Sequence, residues 1–136
     1  MNSLLVDTSA YSAFMRGHTS VVEEVRTAKM LYLSPIVLGE LHAGFVAGGR
    51  RQKNETELLD FLESPRVRTL AIDEETSVFY ASIYAQLRKA GTPIPSNDLW
   101  IAAGAMQHGL VLMTLDHHFE HVAQVILSWH RREPAM

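Results

Sequence analysis

Short runs of strand length alternate with helix-length stretches along this chain. That alternation restricts its possible folds more than any other feature. Ser3–Val6, Met30–Leu33, Val67–Ile72 and Leu110–Thr114 read as buried strands, and Val125–Trp129 is a fifth candidate. Between them lie helix signals. Thr8 or Ser9 can cap a short helix to about Arg16, which Gly17 ends. Ser20 and Glu23 have capping-box spacing. Ser34 followed by Pro35 opens a helix that runs to Gly48-Gly49. Asn54 and Glu57 mark another start, with Leu58, Phe61 and Leu62 spaced to face a core. Asp73 caps a long helix through Lys89, stopped by Gly91 and Pro93. Asn97–His108 is a helix rich in small residues, ended by Gly109. Strands separated by helices predict βαβ units. The expected class is therefore α/β, a three-layer α/β/α sandwich around a mostly parallel sheet of four to five strands.

At 136 residues, one domain spanning 1–136 is expected. With 47% hydrophobic and 20% charged residues, the chain has the makeup of a folded globule, which argues against disorder. The absence of cysteine excludes a disulfide framework, a thiolate metal site and a thiol nucleophile. The first apolar run stops at Asp7, too short for a signal peptide, and no run reaches the ~18 residues of a membrane span. A cytoplasmic protein without membrane association is expected. The net charge of −3 does not favour nucleic acid, yet basic residues recur in small groups. These are Arg50-Arg51 with Lys53, Arg66 with Arg68, Arg88-Lys89 and Arg131-Arg132. Any of these could hold phosphate, but taken singly each reads first as solvated surface.

In open α/β sheets, ligands bind beyond the carboxyl ends of the strands. Asp7 follows the first run and Asp116 the fourth. Asp98 opens the helix after Pro93-Ile94-Pro95-Ser96. Capping explains each of these singly, as it does Asp73 with Glu74-Glu75. Glu40 is different: it lies six residues past Ser34, beyond any cap position, among apolar and small neighbours. If the four acids meet, a divalent cation is the natural occupant and metal-assisted chemistry on phosphate the natural use. His117, His118 and His121 stand beside Asp116. The i,i+4 spacing of His117 and His121 permits a zinc site, but the glutamate of His-Glu-x-x-His is missing. Exposed histidines, or at most a modulator of the acidic site, are expected there. His42 lies two residues past Glu40 and faces elsewhere on a helix. No Gly-rich phosphate loop, serine elbow or dinucleotide fingerprint occurs.

Four segments, in order, resemble the PIN-domain nucleases, and within them the VapC toxins of bacterial and archaeal toxin–antitoxin pairs. They are Leu5-Val6-Asp7-Thr8-Ser9-Ala10, Pro35-Ile36-Val37-Leu38-Gly39-Glu40-Leu41, Asn97-Asp98-Leu99-Trp100-Ile101-Ala102-Ala103, and Gly109 through Phe119. The resemblance implies a single-domain ribonuclease using Mg²⁺ or Mn²⁺, with Asp7, Glu40, Asp98 and Asp116 as its acids. Thr8, Ser9, Asn97 and Thr114 match supporting polar positions. It also implies a homodimer inhibited by a small VapB-like antitoxin that docks near the acidic pocket. Val122–Trp129 matches the family only loosely.

The expected chemistry is hydrolysis of RNA by metal-activated water attacking phosphorus in line, leaving 5′-phosphate and 3′-hydroxyl ends. A metal-free ribonuclease would need a base for the ribose 2′-hydroxyl. His42 or His118 can be nominated, but neither has an evident catalytic second. Three rival readings stand. One is a PIN nuclease of RNA processing without an antitoxin, which the neighbouring gene decides. Another is a phosphoacceptor receiver domain, which wants a lysine ending a late strand that this chain lacks. The third is a catalytically inactive RNA-binding module, against which the complete acid set argues.

Overall fold

The sheet carries five strands in the order β3-β2-β1-β4-β5, and every neighbouring pair is parallel. The structure is a computed structural model and describes residues 2–133. In chain order its elements are β1 (Leu4–Val6), α1 (Thr8–Met15), α2 (Thr19–Thr27), β2 (Leu31–Leu33), α3 (Pro35–Ala47), α4 (Arg51–Glu63) and β3 (Val67–Thr69). Then follow α5 (Glu74–Ala90), α6 (Ser96–His108), β4 (Val111–Thr114), a 3₁₀ turn (His117–His121) and β5 (Leu127–Trp129). Six helices flank the sheet in an α/β/α arrangement, as the alternation requires.

The first three strands step outward in one direction, and β4 then returns to the other side of β1. That reversal makes the carboxyl ends of β1 and β4 the switch point at which such sheets leave a crevice. β1 is the central strand, and Leu4, Leu5 and Val6 are essentially inaccessible. A strand buried on both faces reads as a continuous apolar run, which is why Leu4–Val6 shows no alternation. On α6, Ala102, Ala103, Gly104 and Ala105 are all buried, and their small side chains let the helix lie close to the sheet. Leu5 Cδ2 lies 3.9 Å from where a Cβ on Gly104 would stand.

Several local expectations shift. Asp7, not Thr8 or Ser9, caps α1. His18 replaces Ser20 as the cap of α2, its ring nitrogen facing the Val21 amide at 3.4 Å. Asn54 lies inside α4, which begins at Arg51 without a side-chain cap. Arg51–Glu55 and Lys53–Glu57 pairs, both 3.1 Å and i,i+4, support that first turn instead. β3 stops at Thr69 and β5 begins at Leu127, so the edge strands are shorter than their apolar runs. Ser34 and Asp73 cap as expected, Asp73 in a reciprocal capping box with Thr76.

Ser34 is buried and its hydroxyl accepts from the amides of Ile36 at 3.1 Å and Val37 at 3.4 Å. Ser34→Ala is expected to cost about 1 kcal/mol in denaturant unfolding, with Ser34→Asp recovering part of it. No loss in either variant would mean that the cap does not anchor α3.

Candidate active site

Asp7 leaves the end of β1 and turns back to cap α1. Its carboxylate accepts from the Ala10 amide at 2.7 Å, the Ser9 hydroxyl at 2.7 Å, and the Thr114 hydroxyl at the end of β4. The same polar atoms tie the next residues down. Thr114 Oγ1 accepts from the Asp116 amide and Ser9 Oγ from the Leu115 amide, each at 2.9 Å. The two central strand ends are thus held together by side chains as well as by the sheet. Asp7 is only 3% exposed, and that burial pushes its carboxyl up to about 6. The bonds from Thr114, Ala10 and Ser9 oppose the shift, and the nearby Asp116 charge adds to it.

Glu40 sits in mid-α3, where no cap accounts for it. It accepts from the Thr8 hydroxyl at 2.6 Å and the Asn97 amide at 3.4 Å. One acid therefore gathers α1, α3 and α6. Asp98 lies in the first turn of α6. Burial raises its pKa, with Asp116 and Glu40 adding to the effect, while the hydrogen bond and charge of His118 oppose it. Asp116 caps the 3₁₀ turn, accepting from the His118 amide at 2.9 Å. That turn brings His118 Nδ1 to 2.9 Å from Asp98 and 3.3 Å from Asp116. One ligating atom each from Asp98, Asp116 and His118 lie within 4.8 Å of one another.

A cavity of about 310 Å³ opens over these groups. Asp7, Thr8, Ser9, Glu40, Asp98 and Asp116 line it, together with Ser12, Arg16, Ile101 and Arg132. All four acids singled out by the sequence converge here. Asn97 reaches in through Glu40, and Thr114 holds Asp7 from the β4 side. Asp7 and Glu40 stand outside the tight Asp98–Asp116–His118 trio. His117 and His121 do not join it. His117 pairs with Glu120 at 2.9 Å and stacks on Trp129, and His121 is exposed. His42 faces away, 4.0 Å from Glu55. His118 is the residue that sequence reasoning underrated. Its only signal was its place two residues after Asp116, because its other partner lies twenty residues upstream.

A wider hollow of about 840 Å³ lies between α2 and residues 130–133. Its acids are already engaged, Glu24 by Ser128 and His130 and Glu133 by the Thr19 amide. In the acidic cavity four carboxylates face two arginines, and neither arginine lies within ion-pair distance of them. Carboxylate oxygens with one imidazole suit a hard divalent cation. Burial raises the pKa of Asp7 and of Asp98, and the neighbouring acids add a smaller share. The residues present therefore fit a divalent metal ion.

A model of the PIN domain matches residues 4–125. Ribonuclease VapC1 of Rickettsia felis is 34% identical over 115 residues, covering 83% of this chain and 84% of that protein. The chain belongs to the VapC branch of the PIN-domain family. Ribonuclease VapC4 of Mycobacterium tuberculosis is 33% identical over 87 residues, covering 64% of this chain and 67% of that one. Among solved structures, VapBC-1 of nontypeable Haemophilus influenzae superposes with a TM-score of 0.82 at 25% identity, over 93% of this chain and 97% of that one. In this PIN domain the family match ends at residue 125, so β5 and the segment after it lie outside the matched residues.

Proposed function

We propose that this protein is the toxin of a toxin–antitoxin pair. It is a metal-dependent endoribonuclease that hydrolyses RNA phosphodiesters to 5′-phosphate and 3′-hydroxyl ends. The observation that carries this reading is the convergence of Asp7, Glu40, Asp98 and Asp116 on one cavity at the β1–β4 switch point. The names of the relatives, ribonucleases VapC1 and VapC4, support the substrate class. In this reading residues 1–136 form one domain that works in the cytoplasm, where its RNA substrate is.

Asp98 and Asp116, with Asp7 and Glu40, would hold Mg²⁺ or Mn²⁺. When bound, the cation supplies a lowered water pKa and positive charge beside the phosphate. The protein's own part is positioning. Thr114 and Ser9 fix Asp7, Thr8 and Asn97 fix Glu40, and His118 fixes Asp98 against Asp116. Asp7, Glu40, Asp98 and Asp116 are the catalytic acids in this reading. Purified protein should cleave RNA with Mg²⁺ or Mn²⁺ and stop in excess chelator, with 5′-phosphate product ends. Full activity in chelator, or 2′,3′-cyclic phosphate ends, would overturn the mechanism.

The partner is a small VapB-like antitoxin, and the toxin itself is a homodimer. An Arg or Lys of the antitoxin reaches the acids, because a guanidinium pairs with carboxylates and supplies the missing positive charge. Co-expression with the small gene upstream is expected to yield a stable complex with suppressed cleavage. Separate elution on a sizing column with unchanged activity would count against the pairing.

A further inference from the structure

The acidic cavity poses a difficulty for its own substrate. RNA is a polyanion, and four carboxylates repel it, with a single divalent cation balancing only part of their charge. Two cationic side chains line the cavity, Arg16 at the end of α1 and Arg132 beyond β5. Both are exposed. Several other arginines are occupied, although Arg50 and Arg131 also have no ion pair among the described residues. Arg26 pairs with Glu23 and Arg51 with Glu55, while Arg66 bonds the carbonyls of Val25 and Ala28. Among the described residues, neither Arg16 nor Arg132 has a carboxylate within ion-pair distance.

Arg132 is also held in place. Trp129 registers opposite Thr114 in the sheet, and the His130 amide donates to the Thr114 carbonyl at 2.9 Å. His130 then lies 2.8 Å from Ser20 and 2.7 Å from Glu24. The Arg131 carbonyl lies 2.6 Å from His18 Nε2, and Glu133 accepts from the Thr19 amide at 2.8 Å. The residues on both sides of Arg132 are thus tied to the start of α2, Arg131 through its backbone carbonyl and Glu133 through its side chain, while the Arg132 side chain stays exposed. The backbone share of the ordering entropy of presenting it has thus been met in folding, and the side-chain share is left to binding. Arg132 lines both the wider hollow on α2 and the acidic cavity, whereas Arg131 lines the wider hollow alone.

We infer that Arg132, together with Arg16, forms a phosphate-binding rim that holds the RNA backbone over the four acids. The inference rests on the ribonuclease reading above. Planar, permanently charged guanidinium groups suit phosphate, and their contacts position the strand without reading its sequence.

The test compares steady-state RNA cleavage in Mg²⁺ across a series of KCl concentrations for the parent, Arg132→Gln, Arg132→Lys, Arg16→Gln and Arg131→Gln. Each phosphate contact on a single strand contributes about 0.7 to the slope of log affinity against log salt. Arg132→Gln and Arg16→Gln should each flatten the slope of log(kcat/KM) by about that amount. Each should raise KM by about 10-fold, with a smaller change in kcat. Arg131→Gln removes the same charge one residue away and should leave the slope at the parent value. Arg132→Lys should retain most of the slope, and it and Arg16→Gln carry the test if thermal melts show that Arg132→Gln is damaged. Equal slopes for Arg132→Gln and Arg131→Gln in a folded, active protein would overturn the rim alone. A parent that cuts no RNA with Mg²⁺ or Mn²⁺ would overturn the ribonuclease reading and the rim with it.

Discussion

Asp98→Asn is expected to lower RNA cleavage by about 10³-fold while leaving the fold intact. Asp98 lies in the first turn of α6, where asparagine is well tolerated and Pro95 rather than residue 98 stands at the cap. The substitution therefore removes a charge and little else. The carboxylate it removes is one of three groups whose ligating atoms lie within 4.8 Å of one another. Melting with and without cation separates the roles. A ligand that binds only the native state at 100-fold excess over its Kd stabilises by about 2.7 kcal/mol. Mg²⁺ or Mn²⁺ should raise the parent's Tm by several degrees and that of Asp98→Asn by much less. A plain helix-start role predicts unchanged cleavage. Equal shifts in both proteins, or none in either, would remove Asp98 from the metal site.

Asp7→Asn is expected to make the metal-free protein more stable at neutral pH. Burial pushes the Asp7 carboxyl from its ordinary value of 3.8 up to about 6. At about 1.36 kcal/mol per tenfold change in proton binding, the displacement corresponds to a penalty of about 3 kcal/mol once the group is ionised. The sign follows from linkage. A carboxyl whose folded pKa is raised binds its proton more tightly in the folded state. Its contribution to stability is fully present below about pH 4 and is lost as pH rises through about 6. Asparagine can keep the bond from the Ala10 amide and present its own amide to Thr114. In chelator, parent and variant should therefore unfold alike near pH 4. The variant should gain up to about 3 kcal/mol by pH 7. Bound cation should reverse that order, because it favours the ionised parent. A variant less stable than the parent at every pH would show that Asp7 serves the fold and not the cavity's charge.

The sequence revealed most where a feature is local. Ser34-Pro35 and Asp73 could be read as helix starts because a cap's hydrogen bonds close within three residues. β1 and β4 could be read because central strands are apolar throughout. Asp7 and Asp116 could be placed by the rule that α/β sheets gather ligands at strand ends, whereas Glu40 and Asp98 lie on helices and reach the same cavity only through the packing of α3 and α6. What stayed hidden depends on distant partners. Nothing near His18 announces a cap; the Arg131 carbonyl, 113 residues on, holds its ring. Asn54 resembled a cap because its amide side chain suits one, but salt bridges from Arg51 and Lys53 start α4 earlier. His118 and Arg132 acquire their surroundings from α6 and from the pinning of the chain after β5 onto α2, which no window of neighbouring residues contains.

The bond from Thr114 to Asp7 joins residues 107 positions apart, and Asp116 lies just beyond it. During synthesis at ~5–20 residues per second, a ribosome therefore releases Asp7 about 5–20 s before β4 can pair with β1. Until that pairing, the first acid has no Thr114 to hold it and no Asp116 beside it. Toxicity is withheld from the growing chain by topology alone. A transcript cut before the β4 codons directs synthesis of a fragment that carries three of the four acids but lacks Asp116 and the Thr114 that holds Asp7. The cell then has the length of a nearly complete translation round in which an inhibitor made earlier can be waiting.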